Sequence, residues 1–246
     1  MSEFTVNILH LYPDLLNLYG DKGNIEALRK RLIWRNIDAN VISVTSSDES
    51  IDFESTDIIY LGGGSDREQE IVLEKLSKYK KELKSFVESG KTLIATCGGF
   101  EMLGESLFSK EKKVDGLGVL NINTSLSKEK SRLIGNVVIK ADFLDSYIVG
   151  FENHGGRIDI GSYNPLGKVV TGYGNNGKDA LEGVVYKNLI GTNLHGPLFP
   201  KNPMLCDYIL ENTLKHKYLD FDKLISLDDE LENLANNYIV QAFSKK

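Results

Sequence analysis

Cysteine is scarce in this chain, with two residues, Cys97 and Cys206, among 246. Because no Cys-x-x-Cys pair occurs, the sequence argues against a disulfide framework and against the common structural zinc sites. Long hydrophobic runs are missing as well, and the first residues carry Glu3 instead of the cationic segment of a secretory signal. These absences predict a cytoplasmic protein without a membrane span.

Positive charge is not in excess in this chain. There are 29 Lys and Arg residues against 35 Asp and Glu residues, which gives a net charge of -6. This balance argues against nucleic acid or an anionic membrane surface as the main partner. A hydrophobic fraction of 41% supplies enough apolar surface for a substantial core. Since no linker, charge block or repeat interrupts the chain, we expect one domain over 1–246, with C-terminal helices from about 203.

The pattern of apolar residues predicts an α/β fold. In the first half, strand-like and helix-like segments alternate, with strands at 4–11, 39–44, 57–61 and 92–96 and helices at 24–36 and 66–88. This alternation indicates a mostly parallel central sheet flanked by helices. Short strands follow at 119–123, 133–140, 147–151, 169–172, 184–186 and 189–194, before helices at 204–215 and 228–243. The shorter strands among these predict an antiparallel extension on one side of the sheet.

Cys97 has the most informative surroundings in the sequence. A β-prone run ends at this cysteine, Gly98 and Gly99 follow it, and a short helical pattern begins there. The arrangement is the thiol counterpart of a nucleophile elbow, in which N–H groups of the helix N-terminus lower the thiol pKa and stabilise an oxyanion. The alternative is a buried cysteine beside an ordinary glycine turn. Cys206, in an apolar helical pattern, fits that simpler role.

A cysteine nucleophile needs a base, and the chain has four histidines. His10 lies within the first strand and His216 in a polar helix end, so we expect structural or solvated roles for both. His154 and His195 each follow a strand, and both are candidates. We favour His195, because Pro197 forces a turn that leaves the imidazole at the tip of a strand. If that strand lies beside the Cys97 strand, the two side chains meet at one sheet edge.

Four segments carry a family resemblance. In chain order they are 61–65 (LGGGS), 97–104 (CGGFEMLG), 150–157 (GFENHGGR) and 193–197 (NLHGP). Together they resemble the class I glutamine amidotransferases, in the branch shared with cobyric acid synthase amidotransferase domains. Within that branch, the chain is most similar to the glutaminase subunits of lipid II isoglutaminyl synthases. The resemblance implies the flavodoxin-like fold of the class and hydrolysis of L-glutamine to glutamate and ammonia.

The resemblance also implies roles for five residues. Cys97 would be the nucleophile that forms a γ-glutamyl thioester, and His195 its base. Backbone N–H groups of Gly64 and Gly98 would bind the oxyanion. Arg132 matches an arginine that holds glutamine, and a guanidinium is well suited to grip its α-carboxylate. From the residues alone, a surface position of Arg132 at the start of a strand remains an alternative.

Partners follow from the same resemblance. The chain has no P-loop ending in Gly-Lys-Ser/Thr and no dinucleotide fingerprint, so we expect no cofactor on it. ATP and Mg²⁺ would belong to a MurT-like Mur ligase subunit that forms a heterodimer with this chain. That subunit would activate D-isoglutamate of the lipid II stem peptide, and the ammonia would convert it to D-isoglutamine during peptidoglycan biosynthesis.

Two positions depart from the family pattern. The class carries a glutamate shortly after the histidine to orient it, whereas here Leu198 follows Pro197. The orienting carboxylate would therefore come from the MurT-like subunit. Glu101 stands where the family usually has glutamine, and an anion near the pocket would alter the grip on substrate. Three alternatives remain open: a glutaminase serving another acceptor, a self-sufficient γ-glutamyl hydrolase, and a non-catalytic scaffold of the same fold.

Overall fold

A six-stranded sheet forms the centre of the computed structural model, which describes residues 3–109, 112–126 and 131–244. Fourteen strands are described: β1 (Thr5–Leu11), β2 (Asp38–Val44), β3 (Ile58–Leu61), β4 (Thr92–Thr96), β5 (Ser106–Ser109), β6 (Lys112–Asp115), β7 (Asn123–Leu126), β8 (Leu133–Lys140), β9 (Tyr147–His154), β10 (Gly156–Asp159), β11 (Gly167–Thr171), β12 (Leu181–Glu182), β13 (Val184–Tyr186) and β14 (Leu189–Thr192). Six helices are described: α1 (Lys22–Ile33), α2 (Asp66–Ser77), α3 (Lys80–Glu88), α4 (Gly98–Met102), α5 (Pro203–Lys217) and α6 (Glu230–Phe243).

The order of the central sheet is β13-β14-β4-β3-β1-β2. Its strands are parallel except β13, which runs antiparallel to β14 at the edge. Every residue of β3 is buried, and successive residues belong to opposite faces. Ile59 joins the hydrophobic cluster under α2 and α3, and Ile58 joins the cluster under α1 and α5. Strands buried on both faces are the expected outcome of helices covering both sides of a parallel sheet.

The remaining strands form two antiparallel-rich sheets of four strands each, in the orders β10-β7-β5-β6 and β12-β11-β8-β9. The predicted α/β class, with a mostly parallel sheet and additional antiparallel strands, is confirmed. Only β13 extends the central sheet itself, because the other antiparallel strands pair among themselves. The strand predicted at 119–123 is wrong, since the strand here is Asn123–Leu126. The prediction lacks β5, β6, β10 and β12.

The helix predicted over 66–88 is two helices, α2 and α3, separated at Lys78 and Tyr79. Tyr79 leaves helical geometry, with φ -109° and ψ 15°. Its ring packs near Phe53 with 5.5 Å between centroids, and its hydroxyl donates to the Glu49 carbonyl at 3.1 Å. Neither a glycine nor a proline marks the break, so it follows from tertiary contacts that local sequence does not reveal.

The C-terminal helix α6 is tied to the body of the protein by buried arginines of the α1 region. Arg31 donates to both carboxylate oxygens of Asp207 at 2.6 and 2.7 Å, and to those of Asp229 at the same distances. Arg35 donates to Asp207 at 2.5 Å. Bidentate pairing satisfies the buried guanidinium and fixes where α6 begins. Among the described residues, no helix has the length and apolar character needed to cross a membrane.

Candidate active site

Cys97 lies between the end of β4 and the start of α4. Its backbone has φ 52° and ψ -119°, a conformation that L-residues rarely adopt. Its N–H donates to the Thr192 carbonyl at 2.8 Å, which ties the turn to β14. A non-glycine residue at positive φ stores backbone strain of about 1–3 kcal/mol, and such strain is concentrated at functional sites. The predicted elbow at Cys97 is therefore present in the backbone.

The glycines around Cys97 are closely packed, against backbone at Gly99 and against the movable end of the Gln69 side chain at Gly98. A Cβ atom on Gly98 would lie 2.3 Å from Nε2 of Gln69, and one on Gly99 would lie 2.4 Å from the Leu61 carbonyl oxygen. A Cβ on Gly63 would lie 3.0 Å from Cβ of Cys97. The two glycine segments, after β3 and after β4, thus press against each other. Only residues without a side chain allow the backbone to approach the sulfur from both sides.

His195 lies three residues beyond the end of β14. β14 runs parallel to β4, with Thr192 opposite Thr96, so the predicted neighbourhood of the two strands is confirmed. The backbone of His195 pairs with Phe151 through N–H to carbonyl bonds of 3.0 and 3.3 Å. Its ring stacks on Tyr19 with 3.8 Å between centroids and 20° between planes. Within the described residues, neither ring nitrogen has a hydrogen-bond partner.

Burial dominates the protonation of both catalytic candidates. It raises the pKa of Cys97 to about 12, together with the charge of Glu101 and against a hydrogen bond from the Gly98 N–H. The helix N–H therefore acts in the predicted direction, but burial outweighs it and the expected low thiol pKa is wrong for this chain alone. Burial also lowers the pKa of His195 to about 4, assisted by the positive charges of His154 and Lys201.

A cavity of about 650 Å³ opens at Cys97. Four of the five residues assigned by resemblance line it, namely Cys97, Gly64, Gly98 and Arg132. His195 does not line the cavity. It is stacked on Tyr19, and the Tyr19 hydroxyl is hydrogen-bonded to Asn153, which does line the cavity. The cavity thus combines a nucleophile, backbone donors and an exposed guanidinium. Their catalytic and binding roles stay predictions.

The rival histidine, His154, also lines the cavity but has a different environment. Its Nδ1 lies 2.9 Å from the Gly156 carbonyl, and its Nε2 lies 3.3 Å from Oε2 of Glu152. Glu152 additionally accepts the N–H groups of Tyr173 at 2.6 Å and Gly174 at 3.0 Å. Burial lowers the pKa of His154, but the bond to Glu152 and the charges of Glu182 and Glu101 outweigh it, so the net shift is upward. Both ring nitrogens are occupied, which makes His154 a poor base.

Glu101 lies in the cavity wall and is 9% exposed. Burial raises the pKa of this carboxyl to about 7, against the positive charges of His154 and Arg132. Its Oε1 is so close to Gly156 that a Cβ atom there would lie 2.6 Å away. Close to neutral pH, Glu101 is therefore partly protonated, and a protonated carboxyl has the shape of the glutamine side chain usual at this position in the family.

Several residues of the site carry no sequence signal. Asp21 accepts hydrogen bonds from Tyr60 at 2.7 Å, from Thr96 at 3.0 Å and from the Gly63 N–H at 3.1 Å, and so fixes the first glycine segment. Tyr19, in the loop after β1, contacts His195 as described above. An aspartate following Leu-Tyr-Gly suggests a turn and nothing more, so only the assembled fold reveals these contacts.

Comparisons with known proteins identify the relatives of this chain. The family of CobB/CobQ-like glutamine amidotransferase domains matches residues 7–203. The chain is 42% identical to the lipid II isoglutaminyl synthase (glutamine-hydrolyzing) subunit GatD of Staphylococcus aureus, over 100% of this chain and 98% of the relative. It is 36% identical to the subunit of the same name from Streptococcus pneumoniae, over 96% and 91%. A cobyric acid synthase from Listeria monocytogenes is 27% identical over 72% of this chain and 38% of its own length.

Solved structures share the fold at low sequence identity. A glutamine amidotransferase from Thermotoga maritima superposes with a TM-score of 0.53 at 14% identity, covering 98% of this chain and 99% of its own. A putative GMP synthase subunit from Thermoplasma acidophilum gives a TM-score of 0.50 at 13% identity, covering 86% and 94%. At these identities the likeness concerns the fold alone.

Proposed function

This chain belongs to the CobB/CobQ-like glutamine amidotransferase family, and from that premise we propose that it is the glutamine-hydrolysing subunit of a lipid II isoglutaminyl synthase. The full-length similarity to two subunits of that name supports the assignment. The observation that carries the chemistry is the strained Cys97 turn, fixed to β14 three residues before His195 and open to the cavity. We propose Cys97 as nucleophile and His195 as base.

The proposed reaction is acyl transfer through a thioester. The sulfur of Cys97 attacks the carboxamide carbon of glutamine, while the N–H groups of Gly64 and Gly98 bind the developing oxyanion. His195 takes the thiol proton and delivers it to the leaving ammonia. Water then attacks the thioester, which releases glutamate and restores the thiol. Each oxyanion donor of this kind lowers the barrier by about 3 kcal/mol.

The electrostatics of the site favour a catalytic group supplied by another polypeptide. Proton transfer from a thiol with a pKa of about 12 to an imidazole with a pKa of about 4 is unfavourable. An anion placed at a ring nitrogen of His195 would raise the imidazole pKa and make the transfer easier. Both nitrogens are without partners in the described residues, and Leu198 supplies no carboxylate. We therefore propose that the ligase partner contributes this anion.

The partner would also perform the ATP-dependent half of the reaction. We propose a heterodimer with a MurT-like Mur ligase, which binds ATP and Mg²⁺ and activates the α-carboxyl of D-isoglutamate in lipid II. Ammonia released from glutamine at Cys97 would displace the activating group and convert that carboxyl to the amide of D-isoglutamine. Because glutamine and ATP are cytoplasmic metabolites, the proposed reaction takes place in the cytoplasm.

The direct test is ammonia release from glutamine by the chain with and without its ligase partner. We expect weak turnover by the chain alone, strong stimulation by the partner, and loss of at least about 10³-fold in Cys97→Ser. Cys206→Ser is the matched control, because Cys206 is buried in α5 and should leave turnover intact. Cys97→Ser with near-parental turnover would refute the nucleophile, and full activity of the isolated chain would refute the anion supplied in trans.

A further inference from the structure

Tyr19 makes the contact that defines the ring plane of His195. The two rings are stacked with 3.8 Å between centroids, and Phe151 meets the imidazole edge-on at 5.7 Å and 65°. His195 is 1% exposed, and no hydrogen bond to either ring nitrogen is present in the described part of the chain. Whereas glutamine amidotransferases of this class hold the histidine with a carboxylate, here aromatic packing is what limits its rotation.

The hydroxyl of Tyr19 connects this stack to the proposed substrate arginine. Nδ2 of Asn153 donates to the Tyr19 hydroxyl at 2.7 Å. The same asparagine accepts Nε of Arg132 on its Oδ1 at 2.7 Å and Nη2 of Arg132 on its carbonyl oxygen at 2.6 Å. Arg132, Asn153, Tyr19 and His195 therefore form one connected chain of contacts. The oxygen and the nitrogen of the Asn153 side-chain amide are therefore both hydrogen-bonded.

The loop that carries Tyr19 is fixed by the first glycine segment of the site. The Leu18 N–H donates to the Gly63 carbonyl at 3.1 Å, and the Gly63 N–H donates to Asp21 at 3.1 Å. A Cβ atom on Gly23 would lie 2.7 Å from Cγ of Pro197, so the first turn of α1, directly after the loop, packs against the turn after His195. Tyr19 is held by the same elements that shape the cavity.

From these contacts we propose that Tyr19 is a positioning residue of the glutaminase reaction. Its ring fixes the plane of the His195 imidazole, and its hydroxyl links that ring through Asn153 to the arginine that binds glutamine. The inference rests on the proposed function, since it presumes His195 as base and Arg132 as the substrate-binding residue. Binding of glutamine at Arg132 would then be sensed at the base through two hydrogen bonds and one ring contact.

Two substitutions separate the ring from the hydroxyl. Tyr19→Phe keeps the stack and removes the bond to Asn153, so we expect a KM for glutamine raised by about fivefold, with kcat within about twofold of the parent. Tyr19→Leu removes the stack, and a misplaced base should lower kcat by about 10²-fold. Loss of the ring also admits water to the imidazole, which raises the His195 pKa and moves the acid limb of the kcat profile to higher pH.

The measurements use the chain in complex with its ligase partner, where we expect the highest turnover. Tyr186→Phe is the matched control, because it removes a tyrosine hydroxyl bonded to Glu88 at 3.1 Å on another part of the surface. If Tyr19→Leu kept the parental kcat and its acid limb did not shift, the proposal for Tyr19 would be overturned. The glutaminase function would still stand, provided that Cys97→Ser is inactive in the same assay. Near-parental turnover by Cys97→Ser would instead overturn the function itself.

A second measurement does not depend on the folding of Tyr19→Leu. The test is a double-variant cycle of Tyr19→Phe with Arg132→Lys. If the two residues are coupled, the double variant should raise KM by less than the product of the two single-variant increases. Effects that multiply without interaction would show that the hydroxyl and the guanidinium act independently. That result would overturn the link through Asn153.

Discussion

Two buried histidines of this protein, His154 at the end of β9 and His195 in the segment after β14, have opposite environments. His154 is 2% exposed and both of its ring nitrogens are hydrogen-bonded, whereas His195 is 1% exposed and neither is. The same desolvation acts on both rings, yet the pKa of His154 is raised and that of His195 is lowered to about 4. The buried carboxylate of Glu152 makes the difference. Burial alone therefore does not decide the direction in which the pKa of a histidine shifts; its hydrogen-bond partners matter as well.

The substitution that tests this comparison with the largest effect is His195→Ala. Removing a general base at a buried thiol with a raised pKa should lower glutaminase turnover by about 10²–10⁴-fold. Because the buried ring packs against Tyr19 and Phe151, its removal leaves a cavity, and we expect the free energy of unfolding to fall by about 2–5 kcal/mol. Steady-state ammonia release by the heterodimer and equilibrium unfolding of the variant measure the two quantities.

His154→Phe is the complement of that experiment. It removes the imidazole nitrogen that lies 3.3 Å from Oε2 of the buried Glu152, and loss of one hydrogen-bond partner of a buried carboxylate costs about 1–3 kcal/mol of stability. Residual folded protein should retain turnover, since His154 has no free nitrogen for proton transfer. A turnover loss in folded His154→Phe equal to that in His195→Ala would reverse the assignment of the two histidines.

The nucleophile side of the site was more predictable from sequence than the base side. The glycines next to Cys97 and the β-strand that ends just before it are local features, and the structure has both. The surroundings of His195 depend on Tyr19, which reaches Asn153 across 134 positions of the chain, and ring stacking leaves no periodic pattern in sequence. The break at Tyr79 was missed for the same reason. Contacts between distant segments, without a glycine or proline to mark them, determine these features.

Glu101→Gln tests whether burial shifts the pKa of a carboxyl in the cavity wall, as it does for the buried histidines. Burial raises the folded-state pKa of Glu101 from 4.5 to about 7, so between these values the folded chain holds a proton that the unfolded chain has released. Stability therefore falls as pH rises through this window, by about 3 kcal/mol in all. Glutamine cannot ionise, and the variant should be more stable than the parent by about that amount at pH 8 but not at pH 4.5.

Urea unfolding of both chains at the two pH values measures this effect. Removing the anion should also lower the Cys97 pKa, because the charge of Glu101 is the second cause of its rise after burial. The rate of thiol alkylation against pH should consequently move to lower pH in the variant. Parallel stability curves for parent and variant would show that Glu101 is ionised throughout and would contradict the raised pKa.

The smallest expected effect concerns His10, a third buried histidine. It tests whether a lowered histidine pKa is by itself a sign of a catalytic role. It is 2% exposed, its Nε2 has no hydrogen-bond partner in the described residues, and its ring meets Tyr60 edge-on at 5.6 Å. Burial, assisted by the charge of Lys22, lowers its pKa from 6.5 to about 4. His10 thus shares the electrostatics of His195 but lies in the middle of the sheet, within β1.

His10→Phe should retain the edge contact with Tyr60 and change stability at pH 7.5 by less than about 1 kcal/mol. As pH falls from 6.5 towards 4, His10 takes up a proton in the unfolded parent chain but not in the folded one. The parent protein therefore loses stability over this range, and the His10→Phe variant does not. At pH 5 this difference amounts to about 2 kcal/mol in favour of the variant. Turnover at pH 7.5 should be unchanged. If His10→Phe instead lowered turnover as much as His195→Ala does, loss of activity would not distinguish the two histidines, and it would no longer support His195 as the base.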